Sequence, residues 1–279
     1  MRDRVRTLGD RLARLYAIAS EPAVGPADDD VRILHVTDLH SNPLGIEIAR
    51  DLATRFDVTA VLDTGDMTTF GLPLETRVRS LVGRVPVPYF YVAGNHDSTA
   101  ARRAIDRIPG VTVLDGDVAT IDGVRVLGFG DPTFTASNRI DADEARAEKE
   151  AAAPEVANLV RTLRPDVLAV HDTALAGGSL GRVPLVVAGH VHERRVTVVD
   201  GTTVITGGST GATGLGSFTV DTDLPYEASV LHFRDGRLVT VDFLSLEGVS
   251  GNFKLEREVF DPPAGSELPA PPSDRGSRR

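Results

Sequence analysis

The chain has 279 residues, of which 41% are hydrophobic and none is cysteine. This length allows one large domain or two modest ones, and the lack of cysteine excludes disulfides, thiolate metal sites and cysteine nucleophiles. Thirty basic against forty acidic side chains give a formal charge of −10, so no basic excess exists to displace counterions from nucleic acid. We therefore expect no sequence-specific nucleic-acid partner, although a bound metal could still attract a phosphorylated substrate.

Residues 1–30 are predicted to form an amphipathic helix and a linker. Val5, Leu8, Leu12 and Leu15 recur at helical spacing in an arginine-rich stretch. The stretch lacks the continuous apolar region of a secretory signal, and no apolar run reaches the ~20 residues that span a bilayer. We expect a helix packed on a cytoplasmic domain. The alternative is membrane association through this region, as in a fragment of a longer anchored protein.

From residue 31 onward, predicted strands alternate with predicted helices. Apolar runs at 31–36, 58–62 and 87–93 are separated by helical patterns at 46–56 and 74–82. This alternation predicts a parallel sheet with right-handed crossovers.

The rest of the domain is predicted to be richer in strand. Short strands are expected at 111–114, 118–121, 124–129, 167–170, 185–188, 196–199, 202–205, 230–233 and 238–243. Asp-Gly pairs predict turns at Asp115-Gly116, Asp122-Gly123, Asp200-Gly201 and Asp235-Gly236. A helix over 141–163 is expected to be interrupted or restarted by Pro154. The sequence thus predicts one α/β domain over 31–260, followed by a disordered proline-rich tail at 261–279.

Polar side chains follow the predicted strands at their carboxyl ends. They are Asp38 and His40 after the first strand, Asp66 after the second, Asn95, His96 and Asp97 after the third, His171 at the end of 167–170, and His190 and His192 after 185–188. Loops converge at this edge in α/β sheets, so we expect these side chains to meet. By contrast, His35 and His232 lie inside predicted strands and are interpreted as structural.

These residue types fit a metal site. Imidazole, carboxylate and amide oxygen without sulfur suit Mn, Fe, Co, Ni or Zn. Seven such ligands are too many for one ion and about right for two, and a carboxylate can bridge a pair ~3.5–4 Å apart. Such a pair could polarise phosphoryl oxygens and generate hydroxide near neutral pH.

Five sequence blocks resemble the motif set of the calcineurin-like metallophosphoesterases, in the order of that family. They are Asp38-Leu39-His40, Gly65-Asp66, Gly94-Asn95-His96-Asp97, His171 and Gly189-His190-Val191-His192. The resemblance covers about 31–243. It implies an α/β fold of two mixed β-sheets packed face to face and flanked by helices, a four-layer sandwich. The segment 33–41 is most similar to bacterial membrane-associated phosphoesterases.

The resemblance also implies a role for each matched residue. A first ion would be held by Asp38, His40 and His192, a second by Asn95, His171 and His190, and Asp66 would bridge the two. Manganese is the metal that we favour. The nucleophile would be a metal-bridged hydroxide, and His96 would stabilise or protonate the leaving group.

One departure from the family narrows the expected substrate. In the serine/threonine protein phosphatases, the second block continues with an arginine and with an aspartate that supports the catalytic histidine. The stretch from Gly65 to Gly71 contains neither that arginine nor that second aspartate after Asp66. Asp97 is therefore the candidate that would orient His96, and a phosphoprotein substrate is disfavoured.

The sequence hypothesis is a metal-dependent phosphoric ester hydrolase. It would act on a phosphodiester or phosphomonoester, with a small-molecule or lipid-linked diester favoured. The alternatives are a phosphomonoesterase and a non-catalytic metal-binding scaffold of the same fold. The sequence gives no indication of oligomeric state.

Overall fold

In a computed structural model, the chain forms two mixed β-sheets with helices on their outer faces. The structure describes residues 29–72, 75, 79–136, 141–214, 224–247 and 252–260. The predicted N-terminal helix and most of the linker, together with the predicted tail at 261–279, lie outside the described residues. Within them, no helix is long and apolar enough to cross a membrane.

The larger sheet has seven strands in the order β13-β12-β11-β1-β2-β3-β4. These are β1 (Val31–Val36), β2 (Ala60–Asp63), β3 (Tyr89–Tyr91), β4 (Val111–Val113), β11 (Tyr226–Arg234), β12 (Arg237–Glu247) and β13 (Asn252–Val259). Strands β1 to β4 run parallel, as the β–α alternation predicts, and β11 to β13 add an antiparallel half.

The smaller sheet has six strands in the order β5-β6-β7-β8-β10-β9. These are β5 (Val118–Ile121), β6 (Val124–Phe129), β7 (Val167–Val170), β8 (Leu185–Ala188), β9 (Arg195–Val199) and β10 (Thr202–Thr206). The four inner strands are parallel, and the two edge strands are antiparallel to their neighbours. The predicted turn at Asp115-Gly116 carries the chain from one sheet to the other.

Helices join the strands and cover the sheets. They are α1 (Pro43–Arg55), α2 (Arg79–Val82), α3 (Thr99–Ile105) and α4 (Ala142–Leu163), with a 3-10 helix at Thr173–Ser179. Helix α1 begins with Asn42, whose side chain accepts a hydrogen bond from the Leu44 N–H, and has a proline in its first turn. Both features are typical of helix starts.

Alternating side chains divide the apolar core into three layers. In β1, Ile33 packs between the two sheets, whereas Leu34 packs toward α1. In β7, Val167 packs between the sheets, whereas Leu168 packs toward α4. Successive strand residues point to opposite faces, so each inner strand contributes to two layers. The order helix, sheet, sheet, helix confirms the expected four-layer fold class.

The three predicted Asp-Gly hairpins are confirmed by their backbone angles. Both central residues have positive φ in each: 43° and 92° at Asp122-Gly123, 51° and 83° at Asp200-Gly201, and 51° and 74° at Asp235-Gly236. Two residues with positive φ match the right-handed twist of the flanking strands.

Two expectations differ from the structure. Pro154 does not interrupt its helix, because α4 runs unbroken from Ala142 to Leu163 while Val156 and Val160 anchor it in the core. This packing outweighs the one hydrogen bond that proline cannot donate. Strand β13 has no counterpart in the sequence prediction, because its four charged residues mask the alternation of Phe253 and Leu255.

The continuity of α4 across an exposed proline predicts a stabilising substitution. An interior proline costs a helix about 3 kcal/mol, and proline recovers up to about 1 kcal/mol by restricting the unfolded chain. Pro154→Ala should therefore raise the free energy of unfolding by about 2 kcal/mol, measured by urea denaturation. Glu155→Ala, at the neighbouring exposed position, should stay within about 0.5 kcal/mol. Destabilisation by Pro154→Ala would show that the helix is shaped around its proline.

Candidate metal centre

The loops that follow the parallel strands are hydrogen-bonded to one another through their backbones. The N–H groups of Asp38 and His40 donate to the carbonyls of Gly65 and Asp66, both at 2.9 Å. The two sheets are joined at the same edge, because the His190 N–H donates to Asp38 Oδ2 at 3.1 Å. The nine candidate residues are thus brought to one rim, as the strand-end pattern predicts.

Several candidate residues have a backbone conformation that non-glycine residues rarely adopt. Five of the nine have a left-handed φ: Asp38 at 53°, His40 at 44°, Asp66 at 54°, His190 at 73° and His192 at 55°. Left-handed residues with side chains cost of order 1 kcal/mol each and concentrate at functional sites. Their clustering in these loops marks the rim as a candidate functional site.

Close backbone approach explains two of the motif glycines. A Cβ on Gly94 would collide with the Asp66 carboxylate, and one on Gly189 would lie 2.6 Å from Asp38 Oδ2. Any larger residue at either position would displace a candidate ligand. These glycines therefore set how closely the loops can pack around the carboxylates.

Asp38, His40 and His192 form one group of candidate ligands. Their ligand atoms lie within 4.8 Å of one another. His192 Nε2 is 3.1 Å from Asp38 Oδ1 and 3.1 Å from His40 Nε2. Two ring nitrogens and a carboxylate oxygen that point at one place are arranged as cation ligands.

Asp66 stands between this group and His171. Its Oδ1 accepts a hydrogen bond from the His96 N–H at 2.8 Å. Its Oδ2 lies 3.8 Å from His40 Nε2 on one side and 3.3 Å from His171 Nε2 on the other. His171 Nδ1 donates to the Thr64 carbonyl at 2.8 Å, which leaves Nε2 facing the site.

Asn95 and His190 lie beside the same centre. Asn95 Nδ2 donates to Thr135 Oγ1 at 2.5 Å, which fixes the amide and leaves its oxygen as the free end. The His190 ring lies 5.1 Å from the His171 ring, centroid to centroid.

Unsatisfied buried atoms test whether these residues fit a metal. Asn95 Oδ1 is buried without a hydrogen-bond partner, and Asp38 Oδ1 and His171 Nε2 are buried with only another candidate ligand beside each of them. Buried polar atoms without a partner are rare in native proteins. Carboxylate oxygen, amide oxygen and imidazole nitrogen are all atom types that bind metals, so the residues present fit divalent ions.

The structure assigns the orientation of His96 to a different group from the expected one. His96 Nδ1 donates to the carbonyl oxygen of Thr69 at 2.6 Å. The Asp97 carboxylate instead accepts from the backbone N–H groups of Met67, Thr68 and Gly94. Asp97 thus braces the two loops around the site, and our expectation that it orients His96 is corrected. Adjacent loop residues point to different sides.

Two polar side chains near the site were missed by the sequence analysis. Asp172 Oδ2 lies 3.5 Å from His190 Nε2, and Lys149 Nζ lies 2.6 Å from that same carboxylate oxygen. The position of Asp172 directly after His171 was an available signal. Lys149 gave none, because it is one of many charged residues in α4.

Electrostatics in the metal-free site favour a charged His171. Burial alone would lower the pKa of this ring, but the Asp66 and Asp38 carboxylates outweigh burial and raise it to about 10. The pKa of Asp66 is held below its usual value, because the nearby histidines outweigh the effect of burial. These two pKa shifts favour the protonated form of His171 when no cation is bound.

This proton predicts a pH-dependent metal affinity. A divalent ion must displace it, so the apparent affinity of metal-free protein should rise about 10-fold per pH unit between pH 6 and 8. Calorimetry in buffers of different ionisation enthalpy should show at least one proton released per protein. In His171→Gln, the slope of the logarithm of metal affinity against pH should fall by about one, which corresponds to one proton fewer released. A metal affinity that does not change with pH in the unmodified protein would contradict the presence of this proton on His171.

Comparison with known proteins adds independent information. The family model of the calcineurin-like phosphoesterases matches residues 31–194. A search of curated proteins gives no match. The solved structure of GAP50, the anchor in the inner membrane complex of Plasmodium, is 12% identical with a TM-score of 0.53, over 84% of this chain and 90% of that one. At this identity the likeness concerns the fold.

Two further solved structures are similar at lower scores. A novel archaeal phosphodiesterase is 14% identical with a TM-score of 0.45, over 82% of this chain and 100% of that one. A single mutant of Vps29 from Entamoeba histolytica is 20% identical with a TM-score of 0.46, over 83% of this chain and 100% of that one. The family model spans more than half of this chain and includes its motif blocks, so the protein belongs to the calcineurin-like phosphoesterases.

Proposed function

We propose that this protein hydrolyses a phosphoric ester with two divalent metal ions. The observation that carries the proposal is the position of Asp66 Oδ2, which lies between a histidine of each candidate ligand group. A single carboxylate oxygen in that position can be shared by two ions.

The proposed ligand sets follow the groups around Asp66. Asp38, His40 and His192 would hold the first ion, and Asn95, His171 and His190 the second. Manganese remains the metal that we favour, because the oxygen and imidazole donors suit it. When bound, such ions supply positive charge for the phosphoryl oxygens and lower the pKa of a water that can attack phosphorus.

His96 is the residue that we assign to the leaving group. Its Nδ1 donates to a carbonyl, so Nε2 is directed away from the Thr69 loop. Its ring stands edge-on to the His40 ring, 5.1 Å between centroids. From this position the ring would stabilise or protonate the departing alcohol oxygen.

We further propose a diester substrate with a small-molecule or lipid-linked alcohol. The loop whose Thr69 carbonyl accepts the hydrogen bond from His96 lacks the arginine of the protein phosphatases. It instead presents Phe70, 60% exposed, directly after Thr69. An exposed apolar side chain that directly follows the residue bound by His96 suits an alcohol of low charge better than a phosphoprotein.

Hydrolysis of model esters tests the proposal. Manganese-loaded protein should hydrolyse bis(p-nitrophenyl) phosphate with a kcat/KM at least about 10-fold above that for p-nitrophenyl phosphate, a difference of about 1.4 kcal/mol. Protein stripped of metal is the control and should be inactive. The opposite preference would indicate a phosphomonoesterase. Two bound ions without turnover of any phosphoester would indicate the scaffold alternative.

Two substitutions should separate metal binding from proton transfer. Asp66→Asn should lower the affinity for both ions and abolish most activity, because it alters the ligand that the two ions would share. His96→Ala should retain both ions, measured by elemental analysis, while kcat falls about 10²–10⁴-fold. Loss of metal in His96→Ala would contradict the role assigned to His96.

A further inference from the structure

A buried lysine pairs with two aspartates beside the candidate metal centre. Lys149 extends from α4 and is only 5% exposed. Its Nζ lies 2.6 Å from Asp172 Oδ2 and 3.2 Å from Asp131 Oδ2. Lysine is almost never buried unless it is paired, so these carboxylates account for its position.

The Asp172 carboxylate is held from two sides. Its Oδ1 accepts a hydrogen bond from the Ala174 N–H at 2.9 Å and begins the 3-10 helix. Its Oδ2 accepts from Lys149 and faces His190 Nε2 at 3.5 Å. Such a carboxylate has little freedom to turn away from the histidine.

The contact with Asp172 distinguishes His190 from His171. His171 uses Nδ1 to hold the Thr64 carbonyl, so Nε2 faces the site. His190 directs Nε2 to Asp172, so Nδ1 is the nitrogen left for a metal. A carboxylate behind a metal-binding histidine fixes its tautomer and makes the ring a better ligand.

We propose that Asp172 and Lys149 are positioning residues for His190 and thereby set the affinity of the second ion separately from the first. The inference rests on the proposed function, since it takes His190 as a ligand of that ion. Lys149 holds the carboxylate oxygen that is directed at the ring. Replacing Lys149 removes the cation that holds Asp172 Oδ2, and replacing Asp172 removes the carboxylate that faces the imidazole.

Metal titration of the stripped protein tests the inference without measuring turnover. Co²⁺ would be titrated into the unmodified protein, Asp172→Asn and Lys149→Met. Calorimetry and visible absorption would monitor the binding. In both variants the affinity for one of the two ions should fall about 10–100-fold, and the affinity for the other should stay within about 3-fold. Asp172→Asn retains an oxygen that can accept from the Ala174 N–H, so the start of the 3-10 helix is preserved.

A matched control lies within the antiparallel half of the larger sheet. Asp242 is also a buried carboxylate that contacts a histidine and a cation, with His232 Nε2 at 2.9 Å and Arg257 Nε at 2.6 Å. Across β11, Asp242 is aligned with Leu34, which lies four residues before Asp38 and about 13 Å from it along the strand, and β12 is two strands away from β1. Asp242→Asn should lower the thermal unfolding temperature and leave both cobalt affinities unchanged.

The outcomes separate this inference from the proposed function. If the unmodified protein binds two ions and both variants bind them equally well, the positioning role is overturned alone. The positioning role also fails if Asp242→Asn lowers the affinity for one cobalt ion as strongly as Asp172→Asn does. If two ions bind but no phosphoester is hydrolysed, the proposed function alone fails. If the unmodified protein binds fewer than two ions, both are overturned.

Discussion

The site is organised around two carboxylates that are buried close together. Ligand oxygens of Asp38 and Asp66 lie within 4.8 Å of each other and of His171. Two negative charges at that distance repel by about 3–4 kcal/mol at an effective dielectric of 20. Buried charges must be paired or must bind metals. A proton on His171 offsets part of this charge in the metal-free protein, and divalent ions would offset all of it.

The fold supplies the rigidity that this arrangement needs. The strand-end loops hydrogen-bond to one another, and three apolar layers hold the strands beneath them. The left-handed backbone at Asp38, Asp66 and three of the site histidines costs free energy that these contacts offset. Gly94 and Gly189 allow the loops to approach the carboxylates. Groups behind the candidate ligands, such as Thr64, Thr135 and Asp172, then fix which atom of each ligand faces the centre.

The sequence predicts the parts of this structure that depend on local pattern. Strand ends, Asp-Gly hairpins and the ligand rim follow from apolar runs and the polar residues after them. It does not predict features decided by packing between distant segments: the unbroken helix at Pro154, the edge strand β13, or the contact of Lys149 with Asp172. The prediction for Asp97 failed for a related reason, because adjacency along a loop does not determine where a side chain points.

Crystals grown with manganese would test the shared role of Asp66 most directly. Anomalous diffraction locates each ion without any assumption about substrate. We predict two peaks, one contacting Asp38, His40 and His192, the other contacting Asn95, His171 and His190, and both contacting Asp66. A single peak, or two peaks of which only one contacts Asp66, would contradict the dinuclear account.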